Sequence, residues 1–129
     1  MLTDELSILA LYGLFVALTL MLQATGASLQ LDMGYLLSSR DESRTVTGMA
    51  ARTGRALDNS ITALVLFAPA ILILSHKDAF GGGTLLAAQV FLAARVIYLP
   101  AYVFGIRGLR TLVWLVGFFA TVILYFLAL

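Results

Sequence analysis

The feature that most constrains this chain is a run of 26 consecutive residues without a charge, from Leu6 to Leu31. A helix of that length rises by about 39 Å at 1.5 Å per residue, which is enough to cross a hydrocarbon core of about 30 Å. The preceding residues, Thr3-Asp4-Glu5, are acidic, whereas a secretory signal peptide starts with basic residues and has a shorter apolar stretch. We therefore predict that this run is a permanent membrane span.

Composition extends this interpretation to the whole chain. Of the 129 residues 61% are hydrophobic and only 12% charged, with a mean hydropathy of +1.00. A soluble domain is about 45–50% apolar and about 25% charged, and a small one cannot bury so much apolar surface. A net charge of +1 excludes a basic field for nucleic acid. The absence of cysteine and the single histidine exclude thiolate and His-rich metal sites, so we expect no metal.

Charged and glycine-rich segments divide the chain into four apolar stretches. A connection with Arg40, Asp41, Glu42 and Arg44 follows the first stretch, and glycine-containing turns separate the others. An open strand edge cannot be satisfied in lipid, so the spans must be helices. We predict a single domain over residues 1–129, an all-α membrane protein built as a four-transmembrane-helix bundle. Its helices are expected at about 6–31, 52–75, 84–106 and 109–129.

The distribution of basic residues predicts the orientation. The first connection and the last turn carry nearly all the arginines, whereas Lys77 is the one basic residue predicted on the other side of the membrane. Because cytoplasmic connections are enriched in Arg and Lys, we expect both termini to lie away from the cytoplasm.

Polar side chains recur at spacings of three and four along three of the predicted helices, which places each set on one helix face. The sets are Arg52, Arg55, Asn59 and Thr62; Arg95, Tyr98 and Tyr102; and Arg107, Arg110, Thr111 and Trp114. Asn59, Tyr98, Tyr102 and Trp114 lie about 8–13 Å from the cytoplasmic helix ends, and Arg95 about 18 Å, near the midplane. The three faces therefore predict one shared site that opens toward the cytoplasm.

Most of these residues also have an ordinary explanation. Arg107 and Arg110 can extend to lipid head groups, the aromatic residues can form an interfacial belt, and Asn59 can join helices by a hydrogen bond. Arg95 is harder to explain in this way, because an arginine at the bilayer centre costs at least about 2.5–3.5 kcal/mol. We expect it to face either the carboxylate of Asp58 or an anionic ligand.

Two blocks of sequence resemble a known family. Arg55-Ala56-Leu57-Asp58-Asn59 is similar to the Arg-Ala-x-x-Asn motif of the MAPEG family, the membrane-associated proteins of eicosanoid and glutathione metabolism. The segments from Ala94 to Tyr102 and from Gly105 to Trp114 are similar to its bacterial members, and the likeness covers nearly the whole chain.

The resemblance implies a homotrimer in a bacterial inner membrane, with glutathione bound between neighbouring subunits in the cytoplasmic half. It implies that Arg110 lies beside the thiol as the catalytic residue. The other residues that it places around glutathione are Arg55, Asn59, Arg95, Tyr98, Tyr102, Thr111 and Trp114. Lipophilic electrophiles would then reach the thiol directly from the surrounding membrane lipids.

The sequence departs from the family pattern at three places. Thr62 replaces the usual glutamate three residues after Asn59, Asp58 replaces a basic residue, and an arginine expected near the end of the first helix is absent. Two hypotheses follow. The first is a glutathione-dependent transferase or peroxidase, with the thiolate stabilised by arginine. The second is a non-catalytic membrane protein of this type that binds a lipid or another small anion.

Overall fold

Four long helices form the protein, and a computed structural model describes residues 2–31, 33–38 and 47–129. The long helices are α1 (Glu5–Gln30), α3 (Gly48–His76), α4 (Gly82–Val103) and α5 (Arg107–Ala128), and α2 (Met33–Leu37) is a short helix after α1. Each long helix is long and apolar enough to cross a membrane. The prediction of an all-α bundle with four membrane-spanning helices is therefore confirmed. Arg40, Asp41, Glu42 and Arg44, assigned to the first connection, lie outside the described residues.

Helix α3 begins before the apolar stretch that marked its span. It starts at Gly48 rather than near Arg52, because hydropathy detects only the part of a helix that lies in lipid, whereas a helix can continue into the polar interface. The side chain of Gln30 ties this end to α1. Its Nε2 donates to the carbonyl oxygen of Thr47 at 3.0 Å, and its Oε1 accepts from the Thr47 amide at 2.8 Å.

The core of the bundle is aromatic at its centre. The rings of Phe67 on α3 and Phe91 on α4 stack at 3.9 Å between centroids, and the Tyr12 ring of α1 meets the Phe91 ring edge-on at 4.9 Å. All three side chains are almost fully buried. Large aromatic side chains contribute much of the packing energy of a core, and this cluster joins three of the four long helices.

Polar contacts fix the end of the bundle that holds both termini. Thr84 accepts from the Gly81 amide at 2.8 Å and donates to the buried carboxylate of Glu5 at 2.9 Å, which joins α4 to α1. Lys77 Nζ donates to the carbonyl oxygen of Ala128 at 2.7 Å, which joins the end of α3 to the end of α5. These contacts tie the helices together at this end, and the predicted site residues lie toward the other end.

A tight turn connects α4 to α5 at the opposite end. Gly105 has a φ of +75°, a left-handed conformation that glycine adopts without steric cost. The Ile106 amide donates to the Ala101 carbonyl and the Gly105 amide to the Tyr102 carbonyl, which is the hydrogen-bond pattern of a Schellman motif. The turn brings the first residues of α5 directly beside the last residues of α4.

The outer faces of the helices carry large apolar side chains. Leu14, Leu18, Val65 and Phe119 are each more than half exposed. Exposed apolar side chains of this kind are stable in contact with lipid tails, as expected of an integral multi-pass membrane protein.

Candidate functional site

Two hydrogen bonds from α3 to α4 assemble the site. The Nη1 of Arg52 donates to the carbonyl oxygen of Val103 at 2.8 Å, a favourable place for a cation because helix C-termini carry partial negative charge. One turn further along α3, the Nε of Arg55 donates to the hydroxyl oxygen of Tyr102 at 3.1 Å. The two arginines thus hold the N-terminal part of α3 against the C-terminal end of α4.

Tyr102 is the centre of the aromatic and basic cluster. The guanidinium carbon of Arg110 lies 4.9 Å from the Tyr102 ring centroid, that of Arg55 lies 6.0 Å away, and the Tyr98 ring centroid is 5.6 Å away. Cations within about 6 Å of an aromatic ring centroid are attracted by the ring. Residues from α3, α4 and α5 therefore meet at one ring.

A pocket of about 230 Å³ opens beside this ring, and we name it the tyrosine pocket. Its lining consists of Tyr98, Tyr102, Arg110, Thr111 and Trp114. Each of these residues was singled out from the sequence, and here they bound one space. Arg110 supplies the charge, the tyrosines supply hydroxyl groups, and Thr111 and Trp114 are exposed on the outer side of α5.

Arg95 is buried deeply behind the tyrosine pocket, with 1% of its surface exposed. Its Nη2 donates to the Ser60 hydroxyl at 3.1 Å, and its guanidinium carbon lies 4.2 Å from the Tyr98 ring centroid. The Nε of Arg95 has no hydrogen-bond partner. Asp58, one of the two partners expected for Arg95, is instead exposed on α3, and no described carboxylate is paired with Arg95.

Asn59 faces a second, smaller cavity of about 90 Å³ that also contains Arg95 and Trp114; we name it the arginine cavity. The Oδ1 of Asn59 is buried without a partner, as is the Nε of Arg95. Because buried polar groups are nearly always satisfied, an acceptor without a donor and a donor without an acceptor indicate a site for water or for a polar ligand group. Trp114 lines both the arginine cavity and the tyrosine pocket.

All eight predicted site residues therefore lie at the α3, α4 and α5 junction. Thr62, the position that departs from the family pattern, lines the arginine cavity. Its hydroxyl donates to the backbone carbonyl of Asp58 at 3.0 Å. Thr62 thus adds no negative charge to the site.

Sequence reasoning missed two residues that hold Arg95 in place. Ser60 accepts the hydrogen bond from Arg95, and the Tyr12 hydroxyl donates to the Ser60 carbonyl oxygen at 2.9 Å. Ser60 lies off the polar stripe of α3, so helical spacing did not mark it. Tyr12 carries a hydroxyl group inside the long apolar run of α1, and this polar group was the sequence signal for a contact with another helix.

Comparison with known proteins identifies a family. The sequence model of the MAPEG family matches residues 7–129. No curated protein matches the chain.

Proposed function

The chain belongs to the MAPEG family, and from this premise we propose that it is a membrane-embedded glutathione-dependent transferase or peroxidase that acts on lipophilic electrophiles. The observation that carries the proposal is the tyrosine pocket, where the Arg110 guanidinium lies 4.9 Å from the Tyr102 ring beside Thr111. The membrane location and the family indicate a protein of the glutathione and eicosanoid kind.

The chemistry requires a thiolate that the protein itself cannot supply, because the chain has no cysteine. Glutathione would bring the sulfur. A free thiol has a pKa of about 8.5, and only the thiolate attacks. Arg110, which is permanently charged, would favour the thiolate by electrostatic attraction. With an aryl halide, the sulfur would form a bond to the ring carbon, halide would leave, and the thiol proton would pass to solvent.

The donors and acceptors at the site fit such a tripeptide. Its carboxylates need cations, and Arg55, whose Nε donates to the Tyr102 hydroxyl, offers one, whereas Arg110 serves the thiolate. Its ammonium needs acceptors, and the unpartnered Oδ1 of Asn59 is one. Asp58, one residue earlier on α3, is a second, since its carboxylate is exposed. We propose that these two groups replace the glutamate that Thr62 lacks.

We also propose that the protein is a homotrimer with the site at the boundary between subunits. Asp58 lies about 9 Å along α3 from Arg52, where the membrane span was predicted to begin, yet its side chain is exposed. A charged side chain that faces lipid is unfavourable, and the cost reaches about 2.5–3.5 kcal/mol at the bilayer centre. A second copy of the chain packed on this face of α3 would remove that cost and would enclose Thr111 and Trp114.

The test uses the purified full chain in detergent or nanodiscs. Glutathione at millimolar concentration should bind, show thiolate absorbance in the ultraviolet, and conjugate a model aryl halide. Arg110→Ala should lose the thiolate signal, and Arg110→Lys should keep part of it because the charge remains. Lys77→Gln, at the opposite end of the bundle, is the control for loss of one positive charge. Full activity in Arg110→Ala, or no binding of glutathione, contradicts the proposal.

Two positions favour a second candidate, a non-catalytic protein that binds a lipid or another small anion. Thr62 and Asp58 depart from the family pattern, and the Thr62 hydroxyl is engaged by its own helix. Native mass spectrometry separates the two functions. A bound tripeptide supports the enzyme, and retention of an acyl lipid without any tripeptide supports the alternative.

A further inference from the structure

Four arginines from two helices surround a third concave surface, which also contains Arg110. It has a volume of about 390 Å³, and we name it the four-arginine pocket. It is lined by Arg52, Arg55, Phe104, Gly105, Arg107 and Arg110. The pocket has a formal charge of +4, and among the described residues no carboxylate is paired with any of these arginines. Such a concentration of charge, without a paired carboxylate in the described part of the chain, is expected to attract an anion.

Two of the guanidinium groups are held in place without being saturated. Arg52 uses its Nη1 for the Val103 carbonyl, and Arg55 uses its Nε for the Tyr102 hydroxyl. A guanidinium has five N–H donors, and within the described ranges each of these two groups is given one hydrogen bond, so several donors of each are left for a ligand there. Their positions are fixed before the ligand arrives, which reduces the entropy lost on binding.

The backbone adds to the positive potential. The N-terminus of α5 begins at this pocket with Arg107, and its N-cap residue Ile106 provides no side-chain acceptor for the first amides. A helix N-terminus carries a partial positive charge and exposed N–H groups, which suit an anion. Gly105, which has no side chain, lines the pocket beside them.

The charge of the four-arginine pocket favours a phosphate over a carboxylate. One arginine satisfies a carboxylate by a two-point contact, so a lone carboxylate would leave most of this charge unbalanced. A phosphate monoester carries close to two negative charges and three acceptor oxygens, and it can contact several arginines at once. The pocket also lies at the ends of helices α4 and α5, the level at which lipid phosphates are found, and basic pockets between transmembrane helices bind anionic head groups.

We propose that the four-arginine pocket is a binding site for a phosphate monoester, as carried by the head group of an anionic phospholipid. The site does not depend on the thiol chemistry. It does share Arg110 with the tyrosine pocket, and its Arg55 is the residue proposed above for a glutathione carboxylate, so a bound phosphate would reduce the positive potential available to glutathione. Occupancy of the one pocket should therefore weaken thiolate formation in the other.

The binding test uses the full chain in phosphatidylcholine nanodiscs without glutathione, so that its outcome is separate from that of the proposed enzyme activity. Phosphatidic acid is the probe, and retained lipid is measured by native mass spectrometry. The wild-type protein should retain phosphatidic acid at least about tenfold more strongly than phosphatidylcholine. Arg107→Gln should weaken retention about fivefold, since one arginine near the surface contributes about 1 kcal/mol to binding an anionic lipid.

The controls cover folding and charge. The Arg107 side chain is exposed, so its removal should leave the fold intact, which helicity and gel filtration check. Arg52→Gln is the second variant and should weaken retention by a similar factor. Lys77→Gln removes one charge from the opposite end and should not change retention. Equal retention by wild type and both arginine variants, or equal binding of the two lipids, overturns the proposal.

A competition experiment identifies the source of the phosphate. Inorganic phosphate is added at millimolar concentration to the protein loaded with phosphatidic acid. Displacement shows that the phosphate group alone occupies the pocket, so that soluble phosphate esters are ligands too. Retention of the lipid shows that its acyl chains belong to the bound ligand and that the site is specific for the membrane component.

Discussion

The Nη2 of Arg95 donates to the hydroxyl of Ser60 at 3.1 Å. This contact places a permanent positive charge behind the tyrosine pocket, with its guanidinium against one face of Tyr98. The serine is fully buried, and its carbonyl oxygen accepts from Tyr12 on α1. A chain of contacts thus runs from the interior of α1 to the residues that surround the proposed thiol.

Ser60→Ala should destabilise the protein by about 1–3 kcal/mol, because it leaves a buried donor of Arg95 without an acceptor. Thermal unfolding in detergent, followed by circular dichroism, measures the change. Ser28→Ala is the matched control, since Ser28 is exposed and its hydroxyl donates to the Ala24 carbonyl within α1. Equal melting temperatures for both variants would show that the hydrogen bond to Arg95 does not contribute to the free energy of unfolding.

Arg95→Met should fold with a stability within about 1–2 kcal/mol of the wild type. Removing a buried charge also removes its desolvation cost, so an apolar replacement of similar size is often tolerated. Glutathione binding should nevertheless weaken at least about tenfold, because the charge behind Tyr98 is lost. Calorimetric titration with glutathione is the measurement. Unchanged affinity in a folded Arg95→Met variant would assign this arginine a purely structural role.

Tyr102→Phe should distinguish the contribution of the hydroxyl group to glutathione binding from the contribution of the ring. The variant loses the acceptor for Arg55 but keeps the aromatic face beside Arg110, so we expect glutathione affinity to fall about fivefold, for one lost hydrogen bond. Tyr102→Leu removes the ring as well, and its affinity should fall further. Titrations of the two variants side by side test this order. A leucine variant that binds as well as the phenylalanine variant would contradict a role for the ring.

Gly105→Ala should lower stability by about 1–2 kcal/mol, because a residue with a side chain is strained at a φ of +75°. Gly108→Ala, in the first turn of α5, provides the contrast. It has open space around its Cβ position and no positive φ, so alanine should be neutral or stabilise the helix by up to about 1 kcal/mol. The melting temperature of Gly105→Ala should therefore fall, whereas that of Gly108→Ala should stay the same or rise.

The orientation can be tested with single cysteines, because the native chain has none. Ala79→Cys lies in the exposed turn between α3 and α4, and Gly108→Cys lies at the arginine-rich end. A membrane-impermeant maleimide added to intact cells should label the first variant, and it should label the second only after the membrane is permeabilised. The reverse pattern would place the termini in the cytoplasm.

Sequence alone predicted the four-helix membrane bundle. A membrane span can be recognised from the length and the uncharged composition of one segment, without knowing which helices it contacts. Helical spacing also placed Arg95, Tyr98 and Tyr102 on one face of α4. It could not show that Arg95 bonds to Ser60, because that contact depends on the relative rotation of α3 and α4. The orphaned Oδ1 of Asn59 was equally inaccessible, since satisfaction of a polar atom is a property of packing rather than of residue order.

The four-arginine pocket illustrates the same limit. Arg52 and Arg55 were assigned to one stripe and Arg107 and Arg110 to another, and each stripe was read as facing a common site. The structure instead has two pockets around them that share Arg110. This division depends on how α3, α4 and α5 pack together, which the spacing of charges along the sequence does not show.

Trp114 is the single tryptophan of the chain, and it borders both the tyrosine pocket and the arginine cavity. The protein therefore contains a built-in fluorophore at the boundary of two ligand-accessible spaces, with no other indole in the chain to obscure it. Its emission spectrum will report the polarity of whatever enters either space, and quenchers dissolved in lipid or in water will report the route of entry without any label being attached.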